Sequence, residues 1–322
     1  MFLYNVQYST NIKQKFKSKK NIFLKKVKRQ KVFLLMLLPF LAHLLLFRYY
    51  PMYGNIIAFK NYSFTKGIIG SPWAGFKYFA YFFNSQDLYI VMRNTLVISM
   101  LSLICTTLAS ITFAVLICEV QKTILKKFIQ TVSYLPHFIS WVVVVGMAMT
   151  LFSIDGGPIN NILIKLKLTQ GPINFLGDVK LFWPFVTSLN VWKNLGWNSI
   201  IYIAAITSID KQLYESARID GANKLTQILN ITIPVIAPTI LMLFIFGLGY
   251  ALNAGLDQQF FLQNPMNLAH AEVLDTYIIK YGLQQFNFSY GAAVGLFRSS
   301  ISVFIVIVAN TLTKKFLKMG VF

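Results

Sequence analysis

The chain has 322 residues, of which 56% are hydrophobic and only 12% charged. A soluble domain carries roughly a quarter charged residues, so this composition excludes an ordinary water-soluble fold and favours a protein of the lipid bilayer. The formal net charge is +20, and ten Lys and Arg residues fall between Lys13 and Lys31 with no acid among them. No soluble module presents this charge to nucleic acid, and a basic cluster beside a first apolar segment is typical of membrane orientation.

Six apolar stretches are long enough to cross a bilayer, which takes about 20 mostly apolar residues in a helix. They predict an all-α integral membrane protein with a basic N-terminal segment (1–31), a transmembrane domain (32–312) and a tail (313–322). The six stretches lie near residues 32–49, 95–118, 131–152, 181–206, 235–254 and 291–312. The first is followed by Arg48-Tyr49-Tyr50-Pro51 and not by a small-residue cleavage site, so we expect it to remain as a membrane anchor.

The basic residues between these stretches alternate in density. The N-terminal segment holds ten Lys and Arg, and the gaps at 119–130 and 207–234 and the tail hold three each. The other gaps are longer and poorer in Lys and Arg per residue. Because basic residues concentrate on the cytoplasmic side, the pattern predicts a multi-pass cell-membrane protein with both termini in the cytoplasm.

The cytoplasmic gap between the fourth and fifth stretches predicts a helical hairpin. Asp210 is placed to cap a short helix that ends near Ile219, and Gly221 can adopt the left-handed conformation that terminates a helix. A second helix then runs to Ile231 and is expected to stop before Pro234, because proline disfavours helix in the residue that precedes it. The hairpin has an apolar edge, which indicates a protein partner on this side of the membrane.

The hairpin sequence resembles the EAA motif, which marks permease subunits of binding-protein-dependent ABC importers. The matching residues are Glu215, Ser216, Ala217, Asp220, Gly221 and Ala222, followed by Ile231-Thr232-Ile233-Pro234. One departure is present, because Ser216 stands where the motif has alanine. The resemblance implies that these residues form a coupling helix, between transmembrane helices four and five, that docks on an ATPase subunit.

The resemblance extends over almost the whole chain and favours the carbohydrate-uptake branch, similar to permeases for alginate or rhamnogalacturonan oligosaccharides. Segments that carry it include Tyr50-Pro51-Met52-Tyr53-Gly54, Tyr134-Leu135-Pro136-His137 and Asn174-Phe175-Leu176-Gly177. It implies the transmembrane subunit of an ATP-driven oligosaccharide importer that works by alternating access. The implied partners are a second homologous permease, two cytoplasmic ATPases that bind ATP and Mg²⁺, and an extracytoplasmic solute-binding protein. No cofactor is expected in this chain.

Polar side chains within the spans are costly in lipid and therefore mark a cavity or a partner. Amides and aromatic faces suit a sugar, whose hydroxyls need hydrogen bonds and whose ring faces stack. The candidate pathway residues are Asn190, Trp192, Lys193, Trp197, Asn198, Tyr250, Asn253 and Arg298. Each could instead form hydrogen bonds between subunits or anchor the chain at the membrane interface. Lys193 and Arg298 could also pair with acids of a partner or with an acidic sugar.

The sequence contains no GxxxxGK[ST] phosphate loop, no HExxH and no GxSxG, so we expect neither ATP hydrolysis nor a catalytic or metal site in this chain. The alternative function is an ion-coupled secondary transporter, which would need carboxylates or a broken-helix ion site at membrane depth. The predicted spans hold almost no Asp or Glu. A membrane-embedded glycosyltransferase is a third possibility, and it would need acids or histidines clustered near one face.

Overall fold

The computed structural model describes residues 29–317, in which the regular structure is helical apart from one isolated β-bridge between Lys60 and Trp73. Most of the predicted basic segment (1–31) and the last five residues of the predicted tail (313–322) lie outside the described residues. The chain divides into two compact units, Met1–Ile56 and Ile57–Phe322.

The first unit holds one apolar helical run. Helix α1 (Lys31–Leu44) continues through a π-helical turn (Leu45–Tyr49) into Tyr50–Met52, and none of these residues is buried. Phe33 is 74% exposed and Phe40 is 72% exposed. A helix that is apolar on every side suits a lipid environment, as expected of the predicted membrane anchor.

The second unit is built from long helices and short connecting ones. The long or site-forming helices are α2 (Asp87–Glu119), α3 (Thr123–Phe138), α4 (Trp141–Leu151), α5 (Val179–Thr207), α6 (Lys211–Ile219), α7 (Ile233–Gly249), α8 (Leu256–Leu262) and α9 (Phe288–Leu317). A 3₁₀ helix, Tyr53–Phe59, includes the last residues of the first unit and the first of the second. The connecting helices of the second unit are Gly67–Gly70, Lys77–Phe83, Pro158–Lys165, Lys224–Gln227, Leu268–Ala271 and Leu274–Tyr277, with π-helical turns at Ile228–Thr232 and Ile278–Gln284. Helix α5 packs along both α2 and α3, and α7 packs against α9.

Length and composition identify the membrane-crossing candidates among the described residues. Four helical segments are long and apolar enough to cross a bilayer: Lys31–Phe59, Asp87–Glu119, Lys224–Gly249 and Phe288–Lys315. The bent pair α3–α4 makes a fifth if it counts as one span. Helix α5 has 29 residues, so it is long enough, but Asn190, Lys193 and Asn194 make it more polar. The predicted helical membrane protein is therefore confirmed, with four or five apolar spans.

The predicted third span (131–152) is not one continuous helix. Helix α3 begins eight residues earlier, at Thr123, and the chain bends by 99° between α3 and α4. At the bend, Ile139 and Ser140 are extended. The Ser140 hydroxyl caps α4 by accepting a hydrogen bond from the Val143 backbone N–H at 3.4 Å. Serine before an apolar run is a helix-start signal, which an average over hydropathy does not register.

The predicted stop before Pro234 is wrong, because the helix runs from Lys224 to Gly249 without interruption. Pro234 lies in the first turn of α7, directly after the π-helical turn Ile228–Thr232. The N–H of Ile233 bonds the Ile228 carbonyl, five residues back. The backbone ladder is already displaced in such a turn, so a residue without an N–H is accommodated there.

Two of the three buried clusters among the described residues include helix α5. One packs around Ile98 of α2, Phe182 of α5 and Leu262 of α8. The other packs around Tyr202 of α5 and Ile236 of α7, and it continues into the hairpin that joins these two helices. Helix α5 therefore contributes to both clusters, and it extends from the α8 region to the hairpin.

Candidate functional site

The hairpin between α5 and α7 (residues 208–232) has the local geometry that its sequence predicts. The Asp210 carboxylate caps α6 by accepting the backbone N–H two residues ahead at 3.0 Å. Gly221 has φ +79°, the left-handed conformation, and the Ala222 N–H bonds the Ala217 carbonyl at 2.8 Å. This six-residue closure with glycine past the helix end is the Schellman arrangement. Asn223 caps the second arm.

The hairpin has exposed apolar side chains along one edge, and a hydrogen bond on its inner side joins its two arms. The exposed edge includes Leu213 (48% exposed), Leu225 (65%) and Ile219 (88%). On the inner side, the hydroxyl groups of Tyr214 and Thr232 are hydrogen-bonded at 2.9 Å and join the two arms. The motif residues all lie on α6 or in the turn after it: Glu215, Ser216, Ala217, Asp220, Gly221 and Ala222.

The hairpin is also tied to the end of α2. Lys224, at the start of its second arm, forms an ion pair with Glu119, the last residue of α2. A cavity of ≈ 490 Å³ lies between the hairpin and the adjoining ends of α2 and α5, and it is lined by residues that include Tyr214, Glu215 and Arg218. The ion pair is half-exposed, so it orients the hairpin more than it stabilises the fold.

A second, polar cavity of ≈ 310 Å³ lies between the helices. Its polar and aromatic lining is Ser99, Ser102, Thr106 and Thr107 from α2, Trp141 from α4, Asn190, Asn194 and Asn198 from α5, and Tyr250, Asn253 and Gln258 from the chain after α7. Among these described lining residues there is no Asp, Glu, Lys or Arg. The cavity therefore offers hydroxyls, amides and two aromatic rings, without formal charge.

Helical spacing brings the cavity amides together. Asn190, Asn194 and Asn198 are four residues apart, so they occupy one face of α5. The Asn190 amide donates to the Gln258 side-chain oxygen at 2.7 Å, and the Gln258 amide donates to the Val186 carbonyl at 3.1 Å. Gln258 is fully buried. Asn194 was not among the predicted pathway residues, although its spacing from Asn190 is the signal that identifies it.

The structure brings four of the eight predicted pathway residues to this cavity: Asn190, Asn198, Tyr250 and Asn253. Trp192 lies elsewhere on α5 and is 43% exposed. Trp197 stacks on His137 with ring centroids 4.5 Å apart and lines a neighbouring cavity of ≈ 350 Å³ with Asn198. His137 itself lies in the last turn of α3.

The two predicted cations, Lys193 and Arg298, are engaged within the chain and are not in the cavity lining. Arg298 of α9 forms an ion pair with Asp275 of the helix Leu274–Tyr277. Lys193 is 6% exposed, and its ammonium donates to backbone carbonyls at the bend between α3 and α4. Both side chains are therefore bound by groups of this chain.

The segment that follows α8 is fixed to the start of α2. The Asn94 amide donates to the carbonyls of Ala269 (3.1 Å) and Glu272 (2.9 Å).

Burial, and then the positive charge of Arg93, lower the pKa of His270 below its ordinary value. His270 therefore favours its neutral form in the folded protein.

The same segment also carries an ion pair between Lys280 and Glu272, whose Nζ–Oε1 distance is 2.9 Å. Burial alone would lower the pKa of Lys280. The hydrogen bond and negative charge of Glu272 outweigh burial, so the pKa of Lys280 is raised above its ordinary value.

Apolar spans, a polar cavity between them and a helical hairpin at one end define a multi-pass membrane permease. The chain belongs to the family of binding-protein-dependent transport system inner membrane components, whose family model matches residues 106–318. Members of this family are transport components and not enzymes, and family membership implies a partner ATPase. The predicted resemblance to permeases of binding-protein-dependent importers is confirmed.

Individual relatives match nearly the full length. The chain is 40% identical over 306 residues to the polygalacturonan/rhamnogalacturonan transport system permease protein YteP of Bacillus subtilis (strain 168), covering 95% of each chain. It is 39% identical over 296 residues to protein LplB of the same organism, covering 92% of each. It also matches a chain of a bacterial alginate ABC transporter solved in complex with an alginate pentasaccharide-bound periplasmic protein, with TM-score 0.84, 38% identity, and coverage of 92% of this chain and 99% of that one.

Proposed function

We propose that this chain is a transmembrane permease subunit of an ATP-driven oligosaccharide importer, contributing to the translocation pathway and coupling it to a separate ATPase. The observation that carries the proposal is the composition of α5. One face of this helix supplies Asn190, Asn194 and Asn198 to the polar cavity, and its end continues directly into the hairpin, whose first helix α6 begins three residues later. One helix therefore connects the residues proposed to contact the sugar with the hairpin proposed to contact the ATPase.

The cavity chemistry supports a sugar substrate. Amides and hydroxyls supply hydrogen-bond donors and acceptors for sugar hydroxyls, while Trp141 and Tyr250 offer ring faces for stacking. The relative YteP is named for polygalacturonan/rhamnogalacturonan transport, and the alginate transporter was solved with a periplasmic protein that binds an alginate pentasaccharide. Both support the oligosaccharide class. Ion-coupled secondary transport is not favoured, because membership of the family implies an ATPase partner.

In the proposed topology, six helical segments cross the membrane. Five are the apolar candidates, with the bent pair α3–α4 taken as one span, and the sixth is α5. At 1.5 Å per residue, its length is about 44 Å, enough to cross a bilayer. Asparagines and a lysine are tolerated in it because they face a cavity or a helix end. Basic loops then place the hairpin and both termini in the cytoplasm of a bacterial cell.

The proposed assembly contains a second homologous permease, two cytoplasmic ATPase subunits that hold ATP and Mg²⁺, and an extracytoplasmic solute-binding protein. ATP binding closes the ATPases, and the hairpin moves with them as a docked helix. Glu215 and the turn at Gly221 set the shape of the docked surface. The spans then rock about the polar cavity, which opens to alternate sides of the membrane.

Uptake by the reconstituted complex tests the proposal. Proteoliposomes carrying the whole importer should accumulate labelled oligosaccharide when the binding protein is outside and ATP is supplied on the ATPase side. Accumulation should persist in the presence of an uncoupler. Uptake that proceeds without ATP and collapses with the uncoupler would instead support the ion-coupled alternative.

A further inference from the structure

The bend between α3 and α4 leaves backbone carbonyls without the intrahelical hydrogen bonds that they would accept in a straight helix. The last carbonyls of a helix lack intrahelical partners, and lipid provides none. The Lys193 ammonium donates to the carbonyl of Pro136 at 3.1 Å, to that of His137 at 2.7 Å and to that of Ile139. An ammonium group has three N–H donors, so three carbonyls satisfy it completely.

The groups around Lys193 explain how a cation is tolerated in a buried position. Its charge faces the carboxyl end of α3, where the helix dipole is negative. Its Nζ also lies 5.5 Å from the centroid of the Trp141 ring, within cation–π range. Among residues 29–317, its recorded contacts are with carbonyls and the Trp141 ring and not with an acid. The lysine is therefore matched to the bend itself, and not to a substrate or to an ion-pair partner.

Residues next to Lys193 on α5 hold the same end of α3. The Asn194 side-chain oxygen lies 3.2 Å from the His137 Nδ1, and Trp197 stacks on the His137 ring with an interplanar angle of 2°. A Cβ at Gly196 would lie 2.1 Å from the Ser133 carbonyl oxygen, so only glycine allows this approach. The end of α3 therefore contacts α5 over more than one helical turn.

We propose that Lys193 is a positioning residue that makes the end of α3 move as one body with α5. Its contacts with the three carbonyls, which we call the latch, connect the hairpin to Trp141 at the cavity edge. Helix α5 runs from Lys193 to Thr207 and then enters the hairpin, so a displacement of the hairpin carries the ammonium with it. Trp141 follows the latched carbonyl of Ile139 by two residues. The latch rests on the proposed coupling function.

The test compares coupling in variants of the whole importer in proteoliposomes. Lys193→Met keeps the length and apolar stem of the side chain and removes its donors. It should assemble with its partners and keep basal ATPase activity, while sugar imported per ATP hydrolysed falls about tenfold, within the range of coupling elements. Lys193→Arg keeps several donors and should recover part of the ratio. Lys180→Met, exposed on the same helix, should match the wild type.

A purely structural role would lower uptake and ATPase activity together and leave their ratio unchanged, and that result would overturn the latch. If Lys193→Met fails to accumulate, Lys193→Gln carries the test. Its shorter, uncharged side chain has only two donors for three carbonyls, so the ratio should still fall, and an unchanged ratio would overturn the latch. Wild-type uptake that does not need ATP would overturn the proposed function itself. A normal ratio in the variants beside ATP-driven wild-type uptake would overturn only the latch.

Discussion

The side-chain amide of Asn190 donates to the side-chain oxygen of Gln258 over 2.7 Å and so joins α5 to α8 across the wall of the polar cavity. Gln258 is fully buried and also donates to the Val186 carbonyl. The same asparagine therefore lines the cavity and holds its wall together. Its two roles can be separated by comparison with Asn253, which lines the cavity but is exposed.

We expect Asn190→Ala to lower both stability and sugar affinity. It leaves the buried Gln258 oxygen without its donor, which costs about 1–3 kcal/mol. Asn253→Ala should weaken the sugar response with little effect on thermal stability. Sugar-stimulated ATPase activity of the complex and thermal unfolding of the purified complex in detergent measure the two effects. Equal melting temperatures for the two variants would contradict the assigned wall role of Asn190.

Gly221→Val should abolish uptake and leave the chain inserted in the membrane. At φ +79° a residue with a side chain is strained by roughly 1–2 kcal/mol, more if it is β-branched, so the turn after α6 will change shape. Membrane fractionation and uptake assays measure the two outcomes. Gly146→Ala in α4 is the matched control, because the space around Gly146 is open and its φ is ordinary. Full activity of Gly221→Val would show that the turn geometry is not needed.

Glu215→Lys should reduce co-purification of the ATPase subunits. The carboxylate is exposed on α6 and lies on the surface proposed to dock, so a reversed charge there opposes the complementary charge of a partner. Asp155→Lys, an exposed acid in the turn before the helix Pro158–Lys165, provides the control for charge reversal. The two variants are compared by affinity purification at low and high salt. Equal recovery of ATPase in both would count against the docking role of Glu215.

His270 should make the folded protein sensitive to acid. Burial and Arg93 lower its pKa in the folded state, whereas the unfolded chain binds a proton near its ordinary value of about 6.5. The unfolded state therefore takes up more protons below that pH, so the contribution of His270 to stability is present above about 6.5 and is lost as pH falls toward the lowered value. Melting temperatures at pH 8 and pH 5 should differ less in His270→Gln than in the wild type. Identical differences would contradict this.

Local chemistry made the hairpin predictable and left the bend unpredicted. Asp210 and Gly221 act on backbone groups within a few residues, so their capping roles follow from sequence order alone. The bend at Ser140 was missed because both arms are apolar and an averaged hydropathy joins them. The helix stop predicted before Pro234 is wrong because the π-helical turn Ile228–Thr232 accommodates the proline, and residue propensities do not predict such a turn.

The partners of Lys193 and Arg298 could not be predicted from local sequence patterns. Lys193 meets its carbonyls 54 to 57 residues away in sequence, and only the packing of α5 on α3 brings them together. The pairing of Arg298 with Asp275 likewise depends on how the segment after α8 packs against α9. By contrast, Asn190, Asn194 and Asn198 are spaced four residues apart, so the sequence alone could identify the face of α5 that lines the cavity. Two of the eight predicted pathway residues, Asn190 and Asn198, lie on that face.

The most direct measurement is photo-crosslinking from the exposed apolar edge of the hairpin in membranes that contain the active importer. A photoreactive amino acid in place of Ile219, which is 88% exposed, should form a cross-link to an ATPase subunit. The yield should change when ATP binds. An importer that retains full uptake while position 219 stays free of the ATPase, or is cross-linked to a protein on the extracytoplasmic side, would contradict the assignment of this hairpin as the site on which the motor acts.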